Sequence, residues 1–276
     1  MEIDIIVDIP KISIIIPTYK PGEYFEECLK SIALQDYDAH CFEVIIILNG
    51  DKEPYSSSIN RYIDQYNNIN IKLIYTPVPG VSNARNIGID NSHGCYVTFI
   101  DDDDTIDSNY LSCLNTYAND STMVLSNVNA FGNHHEKFFL SNWISRISKS
   151  ANDLPPYKLR SILSVPWAKL IPARAIGGRR YDVRFKNGED SLFITSLTNN
   201  ITDYIIVEGT KYNVRMREGS ASRRKINLFS IWKTCFLLCV EYISIFFSDY
   251  KQYDFKLFFL RIPGVIKHSI QLSRNR

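Results

Sequence analysis

The chain has 276 residues, 45% of them hydrophobic, which is enough for one large α/β domain with an appendage or for two small domains and argues against global disorder. The net charge of +1 argues against a general nucleic-acid binder. The charge is uneven, because residues 223–276 hold ten of the 31 Lys and Arg but three of the 30 Asp and Glu. A mildly acidic body therefore carries a basic tail.

The six cysteines form no C-x-x-C pair, and most fall within apolar or helical patterns. A disulfide framework is not expected in a chain of this length, so we expect a reducing, cytoplasmic compartment. The opening segment, MEIDIIVDIPK, lacks the basic region and the long apolar run of a signal peptide.

Predicted strands and helices alternate along the first half of the chain. Continuous apolar runs predict buried strands at Ile12–Pro17, Phe42–Leu48, Ile71–Tyr75, Tyr96–Ile100 and Met123–Phe131. Between them, helical patterns follow Pro21 and cover Tyr55–Tyr66 and Ser82–Asp90. This alternation indicates βαβ units and a mostly parallel, Rossmann-like sheet.

Polar residues follow three of these strands, at Thr18-Tyr19, Asn49-Gly50 and Asp101–Asp104. Ligands of parallel sheets bind beyond the carboxyl ends of the strands, so we expect one crevice to gather these residues. The sequence has neither a G-x-G-x-x-G motif nor a Walker loop, which argues against a dinucleotide or ATP site.

The second half is punctuated by Pro and Gly and is less regular. Its predicted elements are a helix over Asp190–Leu197, a strand or hairpin over Ile205–Val214, and helices over Ile226–Phe247 and Phe255–Ile270. The pair His134-His135 suggests a metal site, but neighbouring strand residues point to opposite faces, so we interpret it as a surface loop.

Four consecutive aspartates, Asp101–Asp104, follow the predicted strand YVTFI. Carboxylates this close raise one another's pKa, and a divalent cation relieves the repulsion. Hard oxygen ligands suit Mg²⁺ or Mn²⁺, which typically use one or two carboxylates together with phosphates. The run therefore predicts a metal–diphosphate site. The alternative is a solvated acidic turn that caps a helix.

Four segments, in this order, resemble family 2 glycosyltransferases with the GT-A fold. They are KISIIIPTYKPGEYFEECLKSIALQDYDAHCFEVIIILNG, PGVSNARNIGIDNSHGCYVTFIDDDDTID, VPWAKLIPARAI and RFKNGEDSLFI. The resemblance runs from Lys11 to Ile194. It implies an α/β GT-A fold, with a mostly parallel central sheet flanked by helices and a C-terminal helical appendage. We accordingly divide the chain into a catalytic domain, residues 1–222, and a basic aromatic helical tail, residues 223–276. Within the catalytic domain, residues 1–104 form the nucleotide-sugar-binding half and residues 105–222 the acceptor-binding half.

The resemblance implies roles for the residues that bind the donor. Thr18 and Tyr19 would line the nucleoside pocket. Asn49 stands where many relatives have an Asp that reads the base, and its amide presents an acceptor and a donor to a uracil edge. Arg85 would face the nucleotide or its diphosphate. The alternatives are a plain turn at Asn49-Gly50 and a surface arginine at position 85.

Within the acidic run, the resemblance implies that Asp103 is the direct metal ligand and that Asp101 contacts the ribose or the metal. Asp104 would orient the sugar or the metal shell. Asp102 occupies the variable position and would point away. The implied cofactor is Mn²⁺ or Mg²⁺.

The pair Glu189-Asp190 opens a predicted helix and corresponds to the pair that supplies the general base in the family. We assign that role to Asp190, the alternative being helix capping by the pair. Trp167 would stack on an acceptor sugar and Lys169 would lie near a phosphate, with buried packing as the alternative for the tryptophan.

The resulting hypothesis is an inverting glycosyltransferase of surface polysaccharide biosynthesis. It would move a sugar from a nucleoside diphosphate donor, a UDP-sugar by analogy, to a glycan or lipid-linked saccharide. Two other hypotheses stay open: a catalytically silent nucleotide-sugar-binding module and a nucleotidyltransferase. The second would need a Gly-rich phosphate loop near the N-terminus, which the sequence lacks.

The tail combines basic residues with eleven aromatic ones. Lys233 and Glu241 interrupt its apolar run, which favours a helix lying at an anionic membrane interface over a spanning helix. The alternative is packing against the catalytic domain or within a homodimer. We expect a peripheral protein at the inner face of the cell membrane, and we expect truncation after Ser222 to leave donor binding intact.

Overall fold

A computed structural model describes residues 11–133, 138–140, 154–217 and 227–274 of the chain. The His134-His135 pair, the first ten residues and the proposed boundary between residues 222 and 223 lie outside the described residues. All six cysteines are described, and all are free thiols.

The described residues contain one eight-stranded sheet and eight α-helices of different lengths. The strands are β1 (Ile12–Thr18), β2 (Phe42–Asn49), β3 (Asn70–Thr76), β4 (Tyr96–Phe99), β5 (Thr105–Ile106), β6 (Thr122–Gly132), β7 (Lys169–Pro172) and β8 (Asp203–Met216). The helices are α1 (Tyr24–Ala33), α2 (Tyr55–Ile63), α3 (Val81–Asp90), α4 (Tyr110–Asn115), α5 (Ala173–Ile176), α6 (Glu189–Leu197), α7 (Leu228–Ser248) and α8 (Phe255–Arg274). The order across the sheet is β3-β2-β1-β4-β7-β6-β8-β5.

The first half of the sheet is parallel, as predicted. Strand β1 pairs in parallel with β2 and β4, and β2 pairs in parallel with β3. Every residue of β1 and β2 is buried, which explains their continuous apolar sequences. Helix α3 lies very close to these strands, since a Cβ added to Gly88 would stand 2.3 Å from Cγ2 of Ile15. Gly88 therefore serves close helix–sheet packing.

The second half of the sheet mixes strand directions. Strand β7 runs antiparallel to β4 and β6, β6 runs parallel to β8 with an irregularity at Ser126/Asn127, and β5 runs antiparallel to β8. The sequence did not predict β5 or β7, because two and four residues are too few to show a period. The resulting sheet brings the acidic turn after β4 against the last part of β8.

The tail is helical, as predicted, but it is not a free appendage. Helices α7 and α8 share a small hydrophobic core with α6 and the loop before it, formed by Phe185, Leu192, Leu238, Tyr242, Tyr253 and Phe258. Arg261 of α8 is buried and donates to Oγ1 of Thr195 in α6. The tail therefore helps to hold the helix that begins with Glu189-Asp190.

Candidate active site

The acidic turn Asp101–Asp104 is fixed by the hydroxyl of Tyr212 on β8. The backbone N–H of Asp101 donates to this hydroxyl over 3.0 Å. The Tyr212 ring is fully buried and stacks on Trp167, with ring centroids 4.9 Å apart and planes inclined by 10°. The buried pair of Tyr212 and Trp167 thus holds the turn in position relative to the sheet.

A second support comes from Arg215, also on β8. Its backbone N–H donates to Oδ1 of Asp104 over 2.7 Å, and its Nε donates to the backbone oxygen of Asp103 over 3.0 Å. Asp104 is buried and faces β8. The structure thus places Asp104 against the strand and not in the crevice where the sequence led us to expect it, because the carboxylate satisfies a backbone donor.

The aspartates of the turn crowd one another. Burial, then Asp103 and Asp101, raises the pKa of Asp102 to about 7. Arg217 and the backbone of Tyr19 oppose this shift. Burial and Asp101 also raise the pKa of Asp103, despite the opposing effect of Arg217.

Two arginines supply the positive charge that this crowding demands. Arg217 Nε lies 2.6 Å from Oδ2 of Asp103, and Arg85 Nη2 lies 3.1 Å from Oδ1 of Asp101. Within the described ranges, no three His, Cys, Asp or Glu side chains form a ready cage for a metal ion. Mg²⁺ and Mn²⁺ typically take one or two carboxylates and complete their shell with phosphates and water. Asp101 and Asp103 fit such a donor set.

Arg85 joins the acidic turn to the helix α6. Its Nη1 donates to Oδ1 of Asp190 over 2.6 Å while its Nη2 binds Asp101. Burial disfavours the charge of the guanidinium, but Asp190 and Asp101 outweigh it and raise the pKa of Arg85 above its usual value. The sequence led us to expect this arginine at the nucleotide. The structure buries it between two carboxylates, over the ring of Tyr181, with the guanidinium carbon 5.4 Å from the ring centroid.

Glu189 and Asp190 begin helix α6 directly after Gly188, which has a φ of +85°. Burial and the neighbouring Asp190 raise the pKa of Glu189 to about 7, and its Oε2 is buried without a hydrogen-bond partner. Asp190 keeps 26% of its side chain exposed, and burial raises its pKa despite the opposing effect of Arg85. A raised pKa makes each carboxylate a stronger proton acceptor than an exposed carboxylate.

A cavity of about 550 Å³ lies at the carboxyl ends of β1, β2 and β3. It is lined by Tyr19, Gly50, Asp51, Lys52, Glu53, Tyr75, Pro77 and Pro79. The cavity lies at the edge where parallel sheets bind ligands, which is where the sequence predicts the nucleoside pocket, although Thr18 does not line it. Tyr19 is about half exposed, so its ring faces the opening.

Asn49 and Thr18 lie beneath this cavity and are buried. The Asn49 Nδ2 donates to the backbone oxygen of Thr18 over 2.8 Å, and its Oδ1 accepts from the backbone N–H of Gly80 over 2.9 Å. Both ends of the amide are thus engaged in joining the ends of β1 and β2 to the turn before α3. An aspartate could accept from Gly80 but could not donate to Thr18, which gives a structural reason for the amide at this position.

Trp167 and Lys169 lie in the core and do not line a surface. Trp167 is 7% exposed and stacks on Tyr212, so the packing alternative describes its position. Lys169 Nζ donates to the backbone oxygens of Ile162, Val165 and Trp167. Burial lowers the pKa of Lys169, yet three carbonyl acceptors require all three ammonium hydrogens, so the geometry favours the charged form. The lysine thus holds the loop that carries Trp167, instead of standing free for an acceptor.

Comparison with known proteins identifies the family. The sequence model of Glycosyl transferase family 2 matches residues 13–180. The chain belongs to this family. Among curated relatives of this family 2 glycosyltransferase, glycosyltransferase GlyA of Streptococcus pneumoniae is 26% identical over 226 residues, covering 77% of the chain but 32% of GlyA. The chain thus corresponds to about a third of the length of that relative.

Solved structures support the GT-A fold of the family 2 glycosyltransferase. Staphylococcus aureus TarS residues 1–349 in complex with UDP-GlcNAc superimposes with a TM-score of 0.65 at 20% identity, covering 84% of this chain and 66% of that one. Mannosyltransferase PcManGT of Pyrobaculum calidifontis, in complex with GDP-Man and Mn²⁺, gives 0.60 at 13% identity, covering 95% and 74%. These likenesses establish the mostly parallel sheet with flanking helices that the sequence predicted.

Three site residues escaped the sequence analysis: Tyr212, Arg215 and Arg217. The contacts of Arg215 and Tyr212 with the acidic turn span more than a hundred positions, and no local pattern encodes them. One signal was present, however. Arg215 and Arg217 stand two positions apart at the end of a predicted strand, which places both side chains on one face.

Proposed function

We propose that this family 2 glycosyltransferase moves a sugar from a nucleoside diphosphate donor to a glycan or lipid-linked saccharide, with inversion at the anomeric carbon. The observation that carries the proposal is the convergence of three features at one edge of the sheet. These are the cavity beside Tyr19, the crowded carboxylates Asp101 and Asp103, and Asp190, which Arg85 ties to Asp101. A UDP-sugar is the donor we favour, since TarS was crystallised with UDP-GlcNAc.

Asp101 and Asp103 would hold Mn²⁺ or Mg²⁺, and the bound ion would offset the charge of the diphosphate. The presence of Mn²⁺ in the PcManGT complex favours such an ion. Because Arg217 pairs with Asp103 in the structure, a bound cation would either displace the arginine or share this carboxylate with it. An Arg217 displaced from Asp103 would be free to bind the diphosphate.

The protein residues supply the proton chemistry. Asp190 accepts the proton of the acceptor hydroxyl while the hydroxyl oxygen bonds to the anomeric carbon. The bond from that carbon to the diphosphate oxygen breaks on the opposite face. Arg85 holds one oxygen of Asp190, which orients the carboxylate, and the 26% of the side chain that stays exposed would admit an acceptor hydroxyl. Glu189 is the alternative base, because its pKa of about 7 suits proton transfer near neutrality.

We place the reaction in the cytoplasm, at the inner face of the cell membrane, as a step of surface polysaccharide synthesis. TarS is named as a poly(ribitol-phosphate) beta-N-acetylglucosaminyltransferase, which supports a polymer of this kind as acceptor. The catalytic domain would end near residue 222, with residues 1–104 binding the donor and 105–222 facing the acceptor.

A panel of nucleotide sugars tests the proposal by thermal shift, with and without Mn²⁺. We expect one donor to raise the melting temperature and its turnover to release a nucleoside diphosphate. Donor binding without any release, with acceptors supplied, would favour a silent binding module. Release of pyrophosphate from a nucleoside triphosphate and a sugar phosphate would favour a nucleotidyltransferase.

A further inference from the structure

Helix α7 carries an apolar stripe on the side away from the protein core. The stripe residues recur every three or four positions, which is the spacing of one helix face. They are Phe229, Trp232, Phe236, Val240, Ile243 and Phe247, exposed between 43% and 77%. An uncovered surface of this kind promotes association with something apolar.

The opposite side of α7 is already occupied. Ile231, Cys235, Leu238 and Tyr242 are buried, and the Tyr242 hydroxyl lies 2.8 Å from the Ser191 hydroxyl of α6. Of the helices in the described ranges, α7 is the one long and apolar enough to cross a membrane. A spanning arrangement would pull Leu238 and Tyr242 out of the core they share with α6, so we expect the stripe to be covered with the helix in its present position.

Helix α8 extends the stripe. Its exposed apolar residues are Phe255, Phe259, Ile266 and Ile270, at intervals of four or seven positions. Phe246 links the two stripes where the helices join, because its ring centroid lies 5.4 Å from that of Phe247 and 5.8 Å from that of Phe255. We call the exposed apolar residues of α7 and α8 the outer face.

Along the two helices, the exposed charged residues next to stripe residues are lysines. Lys233, Lys256 and Lys267 each follow a stripe residue by one position and are exposed. One position rotates a helix by about 100°, so each lysine borders its stripe on the side away from the core. The two helices contain a single acidic residue, Glu241, and it pairs with Arg184 of the loop before α6 at 2.5 Å.

We propose that the outer face docks on the headgroup region of an anionic phospholipid leaflet, with the aromatic rings inserted and the lysines at the phosphates. Aromatic and aliphatic side chains flanked by lysine are the composition of helices that lie in this region. A second copy of the chain fits less well. A twofold contact would bring like borders together, and the outer face offers no carboxylate to pair with the lysines.

The proposal rests on the proposed function only for the acceptor, because docking would bring the enzyme to lipid-linked saccharides. Docking itself is tested with the full chain and sedimented vesicles of phosphatidylcholine, with or without phosphatidylglycerol. The test variant is Phe236→Ser with Phe247→Ser. The matched control is Leu34→Ser with Tyr117→Ser, which removes two exposed apolar side chains elsewhere. Melting temperatures establish that all proteins are folded.

We expect the wild type and the control to bind anionic vesicles equally, and the Phe236/Phe247 variant to bind on the order of tenfold more weakly. Changing Lys233 and Lys267 to Gln should weaken binding roughly fivefold for each lysine at low salt and leave binding to neutral vesicles unchanged. Equal partition of all variants overturns the proposal. The proposal is also overturned if the wild type sediments as a dimer, the Phe236/Phe247 variant sediments as a monomer, and neither protein binds vesicles. A donor-induced melting shift is read in solution, so its absence would count against the proposed function and not against docking.

Discussion

Arg85 of α3 donates a hydrogen bond of 2.6 Å to Asp190 of α6, across 105 positions of sequence, while its other nitrogen binds Asp101. Asp101, at the proposed donor site, and Asp190, the proposed base, thereby share the guanidinium of Arg85. Burial strengthens the interaction of both carboxylates with the Arg85 guanidinium.

Arg85→Gln should lower the free energy of unfolding by about 3 kcal/mol, because two partly buried carboxylates lose their counter-charge. The matched control is Arg180→Gln. Arg180 also pairs with an aspartate, Asp90, at 2.6 Å, but on the exposed surface, and its loss should cost less than about 1 kcal/mol. Urea unfolding measures both. Similar costs for the two variants would show that the Arg85 bridge does not stabilise the fold. Arg85→Lys keeps the charge but lacks the fork that spans two carboxylates. We therefore expect a clear loss of kcat with a smaller loss in the free energy of unfolding.

Asp103→Ala should abolish transfer, and EDTA should silence the wild type, since the variant removes one of two carboxylates proposed for the cation. A binding readout avoids dependence on turnover: Mn²⁺ titration in the presence of UDP should show weakened binding in Asp103→Ala. Arg217→Gln should instead bind Mn²⁺ more tightly without nucleotide, because the cation no longer competes with the ion pair. Full activity of Asp103→Ala at saturating donor would remove Asp103 from the metal site.

Asp190→Asn should lower kcat by a factor on the order of 10²–10⁴, the usual contribution of a general base, with little change in donor affinity. Steady-state kinetics and donor titration measure the two effects separately. Glu189→Gln is the matched comparison on the neighbouring residue. If Glu189→Gln is the crippled variant and Asp190→Asn is active, the base is Glu189. A collapse of donor binding in Asp190→Asn would assign this residue to the donor site.

The raised pKa of Glu189 predicts a pH-dependent loss of stability. The carboxyl ordinarily titrates near 4.5 and in the fold at about 7, so the folded protein holds this proton more tightly. This contribution to the free energy of unfolding is fully present below about pH 4.5 and is lost as pH rises through about 7, by about 3 kcal/mol in all.

Glu189→Gln removes this titration, so the variant should gain stability relative to the wild type between pH 5 and pH 8, as urea unfolding at each pH would measure. Glu208→Gln, which removes an exposed carboxyl, is the control. If the Glu189→Gln difference is flat across this window, the carboxyl is charged in the fold.

Tyr242→Phe should cost about 1 kcal/mol, because it removes the hydrogen bond between α7 and Ser191 of α6 and little else. Tyr250→Phe, at an exposed ring, should cost nothing measurable.

The packing of the tail against α6 revises an expectation drawn from the sequence. Truncation after Ser222 should expose Phe185 and Leu192 and destabilise α6, instead of leaving the catalytic domain intact. A truncated chain that melts like the full chain would contradict this view.

The parallel half of the fold could be predicted because its information is local. The apolar runs of β1 and β2 are buried along their whole length, and the edge of a parallel sheet where ligands bind is fixed by strand direction. The grouping of Tyr19, Asn49 and Asp101–Asp104 at that edge followed without knowledge of any contact.

The rest depended on contacts between distant segments. The sequence gives no sign that the Asn49 amide joins Thr18 to Gly80, or that Lys169 is enclosed by carbonyls of its own loop. Residue type pointed Trp167 and Lys169 toward an acceptor, whereas both are buried, Lys169 at the start of the four-residue strand β7 and Trp167 just before it. The roles of all these residues in catalysis stay predictions.

The shared core of α6 with the tail also orders events during synthesis. A ribosome makes residues 189–197 well before residues 228–274, and nascent chains fold from the N-terminal side. Phe193, Ile194 and Leu197 of α6 can pack in the main core as soon as they are made. Leu192, on the same helix, lacks its partners Leu238 and Tyr242 until the tail is made. We therefore expect α6 to be cut more readily by protease in nascent chains arrested before residue 228 than in the full-length chain.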